Sequence, residues 1–139
     1  VKPPTRKIPF QNQGGIKLNQ PDAEKTISQS IIRFEKEFMG RGPLNAKTYI
    51  IDDMVLVRLK NVLTPAELKL AESHTDDRRG RYLIKQVRQE LIEQGRPLLD
   101  ILIKDILGMR VLSLHTDISA KTGERIIVFT LESIPQFVD

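Results

Sequence analysis

The chain has 139 residues, no cysteine, few aromatics and a formal net charge of +4. That length builds one core rather than two, the lack of cysteine excludes a disulfide framework, thiol catalysis and cysteine-ligated zinc, and no apolar run approaches the ~20 residues of a membrane helix. Four of the 22 basic residues, Lys2, Arg6, Lys7 and Lys17, fall in the first 21 positions without an acid, and the other 18 are matched by 18 acidic residues, which is not the concentrated basic surface that nucleic-acid binding requires.

Residues 1–21 combine that basic excess with Pro3, Pro4, Pro9, Gly14 and Gly15 and little apolar content, the composition of a disordered tail or linker. The chain opens on Val1 rather than methionine, the expectation for a processed chain or a piece of a longer one. A helix is predicted over about Asp22–Met39, where Ile27, Ile31, Phe34 and Phe38 recur at helical spacing and Gly40 and Pro43 stop the element. Two strands follow at about Ala46–Ile51 and Met54–Lys60, joined through Asp52-Asp53.

The phrase Leu63-Thr64-Pro65-Ala66-Glu67-Leu68 opens the next helix, to about Ser73. Thr64 fits an N-cap, Pro65 the first helical position and Glu67 the reciprocal acceptor of a capping box, with Leu63 and Leu68 placed as a hydrophobic staple. A long helix over about Asp76–Leu107 is read from Ile84, Val87, Leu91, Leu98, Leu102 and Ile106, which stay in phase across Gly95-Arg96-Pro97, where a kink is expected. Arg110–Ile118 and Arg125–Glu132 form a second hairpin, with Leu112, Leu114 and Thr116 on one face and Ile127, Phe129 and Leu131 answering them.

The order α-β-β-α-α-β-β with segregated hairpins and helices predicts an α+β domain: two hairpins in an antiparallel sheet with helices packed on one face. The domain is expected over residues 22–134, with 135–139 as a C-terminal tail.

Gly40-Arg41-Gly42-Pro43 after a helix, Leu63-Thr64-Pro65-Ala66-Glu67 after a hairpin, and Asp117-Ile118 with Thr122-Gly123 and Val128-Phe129-Thr130-Leu131 near the end resemble the MpsC-like family. The resemblance covers about Asp22–Ser133. It implies association with a sodium-linked, membrane-potential-generating system, and family members can be encoded near inorganic-carbon uptake proteins. It supplies no catalytic residues to carry over.

The residues themselves offer three candidate contacts. Arg41, between two glycines that permit close backbone approach, suits an anion, although the C-terminal end of the preceding helix carries the wrong sign of partial charge and a plain helix stop explains the turn equally. Arg78, Arg81, Lys85 and Arg88 align on one helical face that would meet an anion or an acidic partner, with Asp76, Asp77, Glu90 and Glu93 near enough to neutralise it as a solvated face. In Pro97–Leu107 the apolar residues sweep roughly 240° of the helix, more than one sheet needs. Leu99 and Ile103 are therefore expected at a homodimer interface, the alternative being that the Thr64 and Asp22 helices cover this face within one chain, with Asp100 and Lys104 as an i,i+4 pair in the polar wedge.

Ser113, His115 and Asp117 share one side of a strand, where same-face neighbours stand about 6–7 Å apart, too far for direct nucleophile-to-base bonding. His74 falls in a loop. No catalytic, cofactor or metal site is expected. With no site chemistry expected, the resemblance implies a non-enzymatic, cytoplasmic accessory or regulatory domain acting with a membrane inorganic-carbon or cation transport system at its cytoplasmic face; membrane insertion and nucleic-acid binding are not expected. The alternative reading is a small anion- or nucleotide-sensing module using Arg41 and the Arg78–Arg88 face.

Overall fold

The computed structural model describes residues 16–72 and 79–138. Its elements are α1 (Gln20–Phe38), β1 (Asn45–Ile51), β2 (Met54–Lys60), α2 (Pro65–Ala71), α3 (Arg79–Leu107), β3 (Val111–Ile118) and β4 (Arg125–Leu131). Both hairpins join one antiparallel sheet in the order β1-β2-β4-β3, so the central pair, β2 with β4, unites strands far apart in sequence. This is the α+β order that the sequence predicts.

Strands β1, β2 and β4 bury alternate residues. Val55, Val57 and Leu59 of β2 and Ile127, Phe129 and Leu131 of β4 turn inward, where Ile27 and Ile31 of α1 and Leu99, Ile103 and Leu107 of α3 share the core. Helix α1 lies against β1 and α3, and α3 also reaches β3. The opposite sheet face keeps Tyr49, Ile51, Met54 and Ile126 partly exposed.

Local chemistry explains the boundaries. Asn19 caps α1 by accepting from the Asp22 N–H at 2.9 Å, and Gly40 takes φ +85° just past its end, a conformation that costs glycine little. The β1–β2 turn needs no glycine because Asp52 itself adopts φ +54°, which a short polar side chain tolerates. Thr64 and Glu67 complete both halves of the capping box, at 3.2 Å and 2.8 Å.

Several expectations are revised. Residues 16–21 do not stand apart from the domain: Ile16 is buried, Leu18 packs on the core and the Gln20 amide donates to the Ile50 carbonyl at 3.0 Å. Beyond residue 134, Pro135 is buried and Phe137 packs on the core. The expected basic stretch over residues 1–15 lies outside the described residues, as do Ser73, His74 and Arg78.

Helix α3 runs unbroken through Pro97. Gly95 is a contact point: a Cβ there would stand 2.6 Å from Cζ of Phe34, so glycine lets α1 and α3 approach, beside the stacked Phe34–Phe38 rings 5.2 Å apart. The stripe that α3 buries is Ile84, Arg88, Ile92, Gly95, Leu99, Ile103 and Leu107, one step round from the expected one. Val87 and Leu98 are exposed, and Leu91, Leu102 and Ile106 are only half-buried. Leu99 and Ile103 are fully buried within one chain, which removes them as a dimer interface: the α1 and sheet side chains already cover them. Among the described residues Asp100 pairs with no lysine, and its buried Oδ1 has no hydrogen-bond partner. A register shift between Val111 and Ser113 sends Leu112 to solvent and leaves Leu114 and Thr116 facing inward.

Candidate functional site

The residues that depart furthest from ordinary packing are three buried charges. Glu35 on α1, Arg88 on α3 and Arg125 at the start of β4 are all but inaccessible to solvent. Each occupies a position where periodicity demands an apolar side chain. Glu35 lies one turn after Ile31, Arg88 between Ile84 and Ile92, and Arg125 two residues before Ile127 on the inward face.

Arg88 is held by the capping motif. Its Nε donates to Glu67 Oε2 at 3.0 Å, and its Nη2 donates to Oε1 at 2.5 Å and to the Val62 carbonyl at 3.0 Å. Because Glu67 Oε1 also accepts from the Thr64 N–H, the helix cap and the buried ion pair share one carboxylate. Burial pushes the Glu67 carboxyl up, but hydrogen bonds from Arg88 and Thr64 and the Arg88 charge outweigh it, leaving the group below its usual range.

Arg125 is less fully paired. Its Nη1 donates to Thr116 Oγ1 at 3.0 Å, and Thr116 donates in turn to the Ile126 carbonyl at 2.8 Å. Nε and Nη2 of Arg125, Nη1 of Arg88 and both oxygens of Glu35 are buried without a hydrogen-bond partner, and no ion pair within 4.0 Å links Glu35 to either guanidinium. Burial raises the Glu35 carboxyl against the pull of Arg125 and Arg88. Burial likewise lowers Arg125, with Glu35 opposing and Arg88 reinforcing the shift.

A cleft between α3 and the β3–β4 hairpin reaches this cluster. Its inner chamber, about 320 Å³, is lined by Arg88 and Arg125 together with Lys85, Gln89 and Ile118. The adjoining outer chamber, about 550 Å³, adds Arg81, Lys121 and Ile126, with Tyr82 shared between the two. Lys85 crosses the mouth to Asp117 at 3.4 Å, and Arg81 donates through Nε to the Ala71 carbonyl at 3.3 Å.

The expected basic face is therefore divided. Arg81 and Lys85 edge the cleft, Arg88 forms part of its floor rather than a solvated surface, and Arg78 lies outside the described residues. Arg41 sits elsewhere, half-buried on the turn after α1, with no hydrogen bond or ion pair among the described residues. Arg125, Glu35 and Thr116 escape the sequence reading. A charged residue in phase with a core stripe is the signal that marks the first two.

On the outer sheet face, Ser113 Oγ lies 3.1 Å from His115 Nε2, closer than regular strand spacing allows; the side chains bridge the gap, and Ser113 is also bonded to Thr130. Asp117 turns instead to Lys85 and to the Ile118 N–H at 2.8 Å. Among the described residues the serine–histidine contact thus has no aspartate behind it.

The family described as Na+-translocating membrane potential-generating system (MpsC) matches residues 19–133. The chain is 45% identical over 117 residues to the uncharacterized protein YbcI of Bacillus subtilis (strain 168), covering 84% of this chain and 90% of that one. No solved structure matches. The family match spans the whole helical and sheet framework from the Asn19 cap to the end of β4, and the chain belongs to the MpsC family.

Proposed function

We propose that the protein is a non-enzymatic accessory or regulatory domain that acts, as a homodimer, at the cytoplasmic face of a membrane inorganic-carbon or cation transport system. The family's description as part of a membrane-potential-generating system carries the reading. Among the described residues no helix is long and apolar enough to cross a membrane. In this reading the domain meets its system through a folded surface.

The surface that suits contact with a second copy is the outer side of α3. Leu83, Val87, Leu98 and Ile101 are exposed there at helical spacing, with Leu91 half-buried among them. That is an apolar stripe left over after the core is filled.

Co-purification of the folded chain with the membrane subunits, without added ligand, tests the accessory role; failure to associate rejects it. Light scattering of Leu98→Glu with Ile101→Glu tests the dimer. The expected result is a folded monomer from a dimeric wild type, and a wild type that stays monomeric at high concentration rejects this interface.

A further inference from the structure

We propose that the cleft between α3 and the β3–β4 hairpin binds a small organic oxyanion, a carboxylate or phosphate whose head group sits on the unpaired guanidinium nitrogens of Arg125 and Arg88. The proposal is independent of the accessory role.

The donors carry the argument. Nε and Nη2 form one edge of the Arg125 guanidinium, the fork that matches two oxygens of a carboxylate or phosphate. Arg88 shows what such an edge does when satisfied, since its own Nε and Nη2 grip both oxygens of Glu67. On Arg125 the same edge is buried and unpaired, with Nη1 of Arg88 as a further free donor. An unmet buried donor is costly, and two guanidiniums beside one chamber concentrate that cost at one place.

Among the described residues no carboxylate fills the position. Glu67 belongs to Arg88, Asp117 to Lys85, and Glu124 to Arg58 at 2.6 Å. Glu35 on the α1 side remains beyond ion-pair distance with its own oxygens unpaired. The charged groups acting on Arg125 are Glu35 from α1, Glu67 from α2, Arg88 from α3 and Asp117 from β3. An incoming oxyanion meets two guanidiniums, with Glu35, Glu67 and Asp117 the carboxyls acting on Arg125 and with Glu90 and Glu124 also lining the cleft; Glu67, Asp117 and Glu124 already hold cations of the chain, and burial disposes Glu35 toward its protonated form.

Access and size agree with this assignment. The unpaired nitrogens are buried beside the cleft, so the head group reaches them only by a local rearrangement of its lining; the Lys85–Asp117 bridge in that lining joins exposed side chains, and parting it costs little. Arg81, Lys85 and Lys121 draw an anion inward. The outer chamber offers Tyr82 and Ile126 to an organic body. When the head group binds, Glu35 takes up a proton to relieve repulsion, so affinity falls as pH rises.

Calorimetric titration with succinate, ribose 5-phosphate and inorganic phosphate, followed by NMR of the arginine Nε–H signals, tests the site. The expected result is saturable one-site binding of succinate or ribose 5-phosphate, with the Arg125 signal shifted and proton uptake revealed by buffers of different ionisation enthalpy. Which organic probe binds identifies the head group. Arg125→Met should lower affinity by about tenfold or more. Should that variant not fold, Arg81→Glu with Lys85→Glu changes only exposed side chains and should also weaken binding. No saturation by either organic probe at millimolar concentration, or unchanged affinity in folded Arg125→Met, overturns the site. Inorganic phosphate binding as tightly as ribose 5-phosphate, with succinate inert, overturns the assignment to an organic ligand.

Discussion

The two halves of α3 obey one geometry and bury opposite chemistries. From Gly95 onward the inward stripe is Gly95, Leu99, Ile103 and Leu107, pressed against α1 and the sheet. In the first half the same stripe carries Arg88 between Ile84 and Ile92. The apolar half gains from every side chain removed from water. At Arg88 burial instead requires a partner, and Glu67, fixed by its own capping bond, provides it. The contrast teaches that the stripe's spacing defines a face, while the partner across the gap decides whether a charge can occupy it.

Breaking that partner should produce the largest effect. Glu67→Ala should cost about 3–5 kcal/mol in denaturant unfolding, because it strands the Arg88 charge. A loss no greater than that of a surface mutation would mean that Arg88 finds water instead.

On the apolar half, Leu99→Ala should cost about 2–5 kcal/mol and its neighbour Leu98→Ala under about 0.5 kcal/mol, measured at low protein concentration. Reversal of the two would exchange the inner and outer faces of α3.

Thr64→Ala should cost roughly 0.5–2 kcal/mol through the lost cap, and it sharpens the comparison by asking whether the cap also steadies Arg88. Combined with Glu67→Ala it should be clearly less than additive. Full additivity would mean that the two contacts act separately.

The pH profile separates Glu35 from Glu67. The folded chain raises Glu35, so stability should grow as pH falls through its folded value toward the ordinary carboxylate range. It lowers Glu67, so the stability from that pair persists above the ordinary range and is lost as pH falls through the depressed value. Thermal melts across acid pH should therefore rise and then fall. Glu35→Gln should diminish the rise, leaving the part due to Asp100, which burial also raises, and keep the fall; an unchanged rise would assign it to another group.

A small effect is also expected at the cleft mouth, where Lys85→Ala should change stability by less than about 1 kcal/mol. A larger loss would make the Lys85–Asp117 bridge part of the framework.

The elements were legible because local signals converge on them. Thr64, Pro65 and Glu67 announce the start of α2, Gly40 the end of α1, and the alternation of Ile127, Phe129 and Leu131 fixes β4. Which face of α3 turns inward was not legible. With apolar residues around most of its circumference, two neighbouring stripes compete, and the choice falls to Gly95 against Phe34, a contact known only once α1 is in place. The bulge after Val111 likewise arises from pairing with β4 rather than from its own residues. Arg41, Arg81, Lys85 and Arg88 were found as charges. What separates the floor of the cleft from its rim is the surroundings supplied by Arg125, Glu35 and Glu67, from three other elements.

The central position of the β2–β4 pair has a consequence in time. Each hairpin closes locally, β1 with β2 through two residues and β3 with β4 through a short loop, events expected within about 1–10 μs. Met54 pairs with Thr130 and Leu59 with Arg125 only after the chain holding α2 and α3 has looped back. That closure yields its reward late. The halves of the sheet are thus expected to form early and wait for each other, and Leu59→Ala at their seam should mainly accelerate unfolding rather than slow hairpin formation.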